Sequence, residues 1–353
     1  MFDNSQYIDS MNLVLSKIDS KDRYLLLVAE NSDFDIKKLP SSHQIVGGIF
    51  PQIVFDCKTY DKGYILAKMT KSTNTFLVKD MGKEFDSKDL ELLKSYFILV
   101  DGYSFKCSSF LNRFLEKVSE SCKIFGGGAG KLGVKNEAVI FSGNTLYKDA
   151  AIVMGSFEHI GVGVRHGWEE VRGPFIVTDA SNRDLKKINY VEAFSFYKNI
   201  VEEDLGAQMD EENFFEIAKN YPFGITRYSR EFIVRDPMFT DGKSLELIGD
   251  IEPNSIVSIL KGDKEELVKA AKEACIDSIH NKKDAKKSQQ LLIVDCVTRF
   301  LFLEDTFKKE LEEIQKQVGR GIPIWGVLSL GEIANANQEN IEYLNKTCVV
   351  GNL

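Results

Sequence analysis

The stretch KIFGGGAGKLG, Lys123 to Gly133, contains a literal G-x-G-x-x-G (Gly128, Gly130, Gly133) and a Gly-Lys pair. Two nucleotide-binding folds hang on its reading, and it fits neither. A phosphate loop needs Gly, four residues, then Gly-Lys-Ser/Thr, because backbone amides wrap the phosphate while the hydroxyl holds magnesium. Counting back from Gly130-Lys131 puts Phe125 where the first glycine belongs, and Leu132 stands where the hydroxyl belongs. The dinucleotide fingerprint needs a helix opening straight after the glycines, with its N-terminus facing the pyrophosphate. Here the chain continues VKNEAVIFSGNTLYKDAAIVMGSF (134–157), rich in β-branched residues and broken by Ser-Gly-Asn. That pattern is strand, turn, strand.

The glycine corner instead belongs to an internal repeat. Three segments open with a short apolar run: YLLLVAE (24–30), YFILVDG (96–102) and LLIVDCV (291–297). Each reaches a second run carrying glycine: QIVGG (44–48), KIFGGGAG (123–130) and PIWGVLSLG (323–331). A third apolar run follows: GYILAKM (63–69), AAIVMGSF (150–157) and KTCVVGNL (346–353). Between the first two runs, Cys107, Leu111, Phe114 and Val118 share one helical stripe, as do Phe307, Leu311, Ile314 and Val318. Gly319 is a natural stop for the second helix. In the first copy Pro40 interrupts a short connection, so its helix is stunted or absent.

The unit is strand, helix, strand, strand, and its opening runs are apolar throughout, as in strands covered on both faces. A strand–helix–strand step predicts a parallel pair, with ligands beyond the carboxyl ends. The glycine corners at Gly48, Gly127 and Gly326 should then end adjacent or pseudo-symmetric strands, with LLIVDC central. Residues from about 155 to 260 read as antiparallel strands with helical stretches near 189–200 and 210–219. Residues 263–280 form an amphipathic helix capped by Asp263. The fold class is α/β (mixed α+β): repeated strand-helix-strand-strand units forming largely buried mixed sheets flanked by helices.

A chain of 353 residues, 43% hydrophobic and 28% charged, is globular and long enough for two parts. A net charge of −8 disfavours a nucleic-acid surface. The basic cluster NKKDAKK (281–287) reads as a solvated loop after a helix. Six scattered cysteines without a C-x-x-C pair, no signal peptide and no membrane-spanning apolar run predict a cytoplasmic protein with reduced thiols. No HxH, HExxH or Cys/His cluster supports a metal.

FGGGAG, GVRHGWEEVRGPFIVTDA, YPFGI, CVTR and WGVLSLGEI, in that order, resemble the FIST domain, an intracellular sensory module of bacterial signal transduction. The resemblance spans nearly the whole chain, dividing it into a FIST N-terminal domain (1–185) and a FIST C-terminal domain (186–353). Two positions depart from the family's usual pattern: Lys131 replaces an aspartate after the glycine corner, and Leu328 often has an aromatic counterpart. The resemblance implies a non-enzymatic sensor of a small polar metabolite such as an amino acid, without a cofactor. Because the repeat takes up both ends of the chain, output is expected through a partner such as a kinase, cyclase or chemoreceptor, with no nucleic acid or membrane.

The residues offer a site of their own beyond the ends of the third unit's strands. Arg299 presents a planar fork suited to a carboxylate. Glu332 suits an ammonium and Ser329 either end. Cys296, Gly331, Trp325 and the second corner's Gly127 and Gly128 complete the crevice. The plainer alternative is that Arg299 and Glu332 simply pair with each other. Two further readings stay open. His166, in VRHGW, is the candidate axial ligand if the chain is one of the family's haem-based nitric-oxide sensors. Cys296 is the candidate nucleophile of a small-molecule hydrolase or transferase, with no base identified nearby.

Overall fold

The structure, a computed structural model, describes all residues except 43, 86–89, 135, 227–231, 283–288 and 336–339. His43 and most of the 281–287 basic cluster therefore lie outside the described residues.

The repeat is real and cyclic. In each unit the opening strand pairs in parallel with the glycine strand and antiparallel with the return strand. The opening strands are Tyr24–Ala29, Ser95–Asp101 and Leu291–Cys296. Their parallel neighbours are Ile45–Phe50, Lys123–Ala129 and Ile324–Ser329. Their antiparallel neighbours are Tyr64–Met69, Ala151–Ser156 and Cys348–Asn352. All three opening strands are buried along their whole length, and LLIVDC lies inside its sheet between its two partners. The register makes Gly47, Gly126 and Gly326 the equivalent corners, opposite Leu26, Ile98 and Ile293. Two of the corners thus sit one residue earlier than Gly48 and Gly127, because the glycine runs differ in length.

Two further elements of each unit escape the apolar pattern. An outer strand precedes each opening strand and pairs with the return strand: Phe2–Ile8, Thr73–Val78 and Gly161–Arg165. A short hairpin follows each glycine strand and crosses to another unit. The first unit's Gln52–Phe55 pairs with the third glycine strand, the third's Glu332–Ala334 with the second, and the second's Ile140–Ser142 with the first. This ring of exchanges yields three six-stranded sheets of one topology. The glycine strands approach one another at its centre.

Helices follow the stripes. Cys107–Leu115 buries Cys107, Leu111 and Phe114 but ends before Val118, the last residue of its expected stripe, whereas Phe307–Val318 buries Phe307, Leu311 and Ile314 and stops at Gly319, φ 83°. Among its described residues the first unit's connection keeps a single 3-10 turn, Ile36–Lys38. Asp263 caps Lys264–His280 by accepting the amides of Glu265 and Glu266.

Residues 168–262 form an insertion between the third unit's outer and opening strands. Its strands, Trp168–Ser181, Ile256–Gly262, Phe223–Thr226, Phe232–Thr240, Leu245–Ile248 and Asp184–Ile188, pair antiparallel in that order and close back on the first. The result is a six-stranded barrel with the helices Ala193–Leu205 and Phe214–Ala218. Residue 185, where the two sequence halves meet, falls inside the strand Asp184–Ile188, and sheet pairing joins the halves on both sides.

Candidate functional site

A cleft of about 520 Å³ opens between the carboxyl ends of second- and third-unit strands and the barrel wall. One side carries Gly102 and Tyr103 after an opening strand, Leu132 after a glycine strand, and Cys296–Thr298 and Leu330 from the third unit. The barrel supplies Arg183, Met238, Phe239 and Glu246–Ile248. The carboxyl-end rule thus locates the cavity, and the size suits a small organic ligand.

Of the eight expected site residues only Cys296 is among the described residues that line the cleft, while Ser329, Gly331, Glu332, Gly127 and Gly128 join one hydrogen-bonded network beside it. Cys296 lines the cleft and stands in register with Ser329. Ser329 Oγ donates to Glu332 Oε1 at 2.7 Å, and Glu332 Oε2 accepts the Thr347 amide at 3.2 Å. Glu332 pairs with Gly127, the Gly128 amide donates to Gly331 O at 2.7 Å, and the Leu330 amide donates to Gly128 O at 2.9 Å. Burial holds the Glu332 carboxyl well above its usual range, against the Ser329 and Thr347 hydrogen bonds that favour its charged form.

Arg299 and Trp325 stand elsewhere. Arg299 is completely buried against Asp295 (3.1 Å) and Glu310 (2.5 Å). It also donates to the carbonyls of His166, Leu267 and Lys346. Its ion partners among the described residues are these two carboxylates and not Glu332, which corrects both the ligand-fork and the Arg299–Glu332 pair readings. Burial opposes its charge, but Glu310 and Asp295 more than offset that and hold its pKa above the ordinary value. Trp325 is a core side chain, its Nε1 donating to Gln290 Oε1 at 2.9 Å and its ring edge-to-face with Phe2. The third unit's opening strand divides these groups: Asp295 joins the Arg299 cluster, while Cys296 borders the cleft.

Asp295, Glu310 and Cys348 bring one donor atom each within 4.8 Å of one another. Arg299 already supplies the positive charge against both carboxylates, so the set does not suit a metal ion. Haem does not fit His166 either. Its Nδ1 accepts the Trp168 amide at 2.9 Å, leaving the proton on Nε2, the nitrogen an axial ligand needs free. Nor does His166 line the cleft.

Burial, then Arg299 and Arg165, lowers the His166 pKa from 6.5 to about 4. The unfolded chain binds more protons than the folded one between those values, so stability rises with pH through the window and is lost as pH falls. We expect a loss of roughly 2 kcal/mol from pH 7 to 4 attributable to this side chain, discounted for its partial exposure. His166→Gln should remove that part of the slope in urea titrations.

All six cysteines are free. Burial pushes the thiols of Cys107, Cys122 and Cys275 up to about 12, and it raises those of Cys296 and Cys348 well above the ordinary thiol value too. Cys57 is half-buried and also raised. Native thiol titration with a chromogenic disulfide should therefore modify Cys57 first and the other five only on unfolding. Fast labelling of Cys296 would contradict this and favour nucleophilic chemistry.

The residue patterns do not single out Arg183, Glu310 or Asp295. Two of these left a signal. Asp295 is a carboxylate inside an apolar strand, and Glu310 sits beside the buried stripe of its helix. Arg183, in ASNRDLKK, reads as an ordinary polar turn.

The FIST N domain matches residues 36–190 and the FIST C domain residues 193–335. The chain belongs to the FIST family, whose domains are sensory modules of signal transduction proteins. No curated protein matches it. No helix among the described residues is long and apolar enough to cross a membrane.

Proposed function

We propose that the chain is a cytoplasmic small-ligand sensor that binds a metabolite in the 520 Å³ cleft and acts through a partner protein, without catalysis or a resident cofactor. The supporting observation is the position of the cleft. It is walled by two repeat units on one side and by the inserted barrel on the other, so an occupant would touch all three bodies at once. Cys296 forms part of the wall, and Ser329, Glu332, Gly127, Gly128 and Gly331 support it from behind. Amino acids and related small acids are the first ligands to test, and a kinase, cyclase or chemoreceptor is the class of partner to seek. Burial raises the Cys296 thiol away from the thiolate form a nucleophile needs, and His166 does not line the cleft, which supports a non-enzymatic role.

A thermal-shift screen of amino acids and small organic acids tests this reading. A ligand at 100 times its dissociation constant adds ~2.7 kcal/mol. Leu301 lines the cleft beside Cys296–Thr298 and is partly exposed, so Leu301→Trp should obstruct it from that wall and erase the shift while leaving the unliganded melting temperature close to wild type. A ligand whose shift survives Leu301→Trp binds elsewhere and refutes the assignment.

A further inference from the structure

Arg183 is the unusual group in the cleft. It sits in the turn between two barrel strands and reaches back to the second unit, where Nη2 donates to Ser104 O at 2.9 Å. Its guanidinium lies 4.7 Å from the centre of the Phe105 ring. The residue is only 9% exposed, and its Nε has no hydrogen-bond partner among the described residues. Among the described residues no carboxylate forms an ion pair with it. Buried Arg299 and Lys346, by contrast, are each matched by buried carboxylates.

A guanidinium withdrawn from water without an anion is costly, and the cost is relieved when an anion arrives. Arg183 lines both the main cleft and a neighbouring one of about 430 Å³. The rest of the main lining is largely apolar, with Tyr103, Phe215, Met238, Leu247 and Leu330 around the cavity.

We infer that the cleft takes a monocarboxylate with an apolar body, its carboxylate docked on Arg183. This rests on the cleft being the ligand site, and deepens that reading by naming the chemical class. The fork of donors fixes the head, and the apolar wall accepts the body.

Phenylpropionate and its uncharged isostere phenylpropionamide provide the test, by calorimetry on the full chain. Wild type should bind the carboxylate at least tenfold more tightly than the amide. Arg183→Gln keeps a donor for Ser104 O but removes the charge, and should bring the two affinities to within twofold. Its unliganded melting temperature should equal or exceed wild type, since an unmatched buried cation has been removed. Leu301→Trp should block both compounds. Equal affinities in wild type, no carboxylate binding at all, or discrimination that persists in Arg183→Gln would each overturn the inference. Discrimination persisting in Arg183→Gln with Leu301→Trp still blocking would leave the cleft as the site and reject only the anchor. Carboxylate binding undiminished by Leu301→Trp would reject the cleft itself.

Discussion

Arg299→Ala is expected to destabilise the fold by ~3–5 kcal/mol, because it leaves two buried carboxylates without their counter-ion. Asp295 and Glu310 are both fully buried, and each contacts the guanidinium directly. The same side chain ties together three segments through the carbonyls of His166, Leu267 and Lys346. Those carbonyls come from the entrance to the barrel, the helix Lys264–His280 and the loop before the last strand, so the loss is not local. Arg299→Lys should recover only part, since one ammonium cannot span two carboxylates and three carbonyls. Adding Glu310→Leu to Arg299→Met should be less harmful than Arg299→Met alone, because it removes one orphaned carboxyl. Urea unfolding with a matched m-value measures all four variants. An Arg299→Ala midpoint unchanged from wild type would mean that the guanidinium is not structural.

The apolar runs and their glycines revealed the repeat because burial on both faces leaves a mark along one strand. Pairing leaves no such mark. The outer strand Phe2–Ile8 reads as a polar start, since only its end residues are buried. The hairpin Gln52–Phe55 gives no sign that its partner is the glycine strand some 270 residues later in the chain, as the Trp325–Phe55 register shows. The barrel, by contrast, was visible as antiparallel strands, but not as an insertion within the third unit. For the site, the carboxyl-end rule led to Cys296 and the glycine corner, while assigning the role of Arg299 required knowing which way it leaves its helix. That direction depends on Glu310, which only packing brings near. Arg183 shows the converse. An arginine in a polar turn carries no signal of burial until the barrel folds against the second unit.

Alanine at the three equivalent corners should be comparably damaging. A Cβ on Gly47 would lie 1.8 Å from Leu26 O, on Gly126 1.9 Å from Ile98 O, and on Gly326 1.8 Å from Ile293 O. Each obstacle is the backbone of the opening strand in the parallel pair, which cannot retreat without breaking its ladder. Overpacking of a core usually costs ~1–3 kcal/mol when side chains can shift, so a clash with fixed backbone should reach at least the top of that range. Gly48→Ala is the matched control. Its added carbon would meet Ala129 Cβ at 3.0 Å and the Phe50 ring at 3.1 Å, both side chains with some freedom. It should cost clearly less than Gly47→Ala one position away. The three corner variants should resemble one another within ~1 kcal/mol by urea unfolding, because the same strand pair imposes the same constraint. Tolerance at Gly326 together with collapse at Gly47 would show that the third unit does not share the geometry of the first. The cyclic account of the fold would then fail at its centre, where the exchanged hairpins require all three glycine strands to take one conformation.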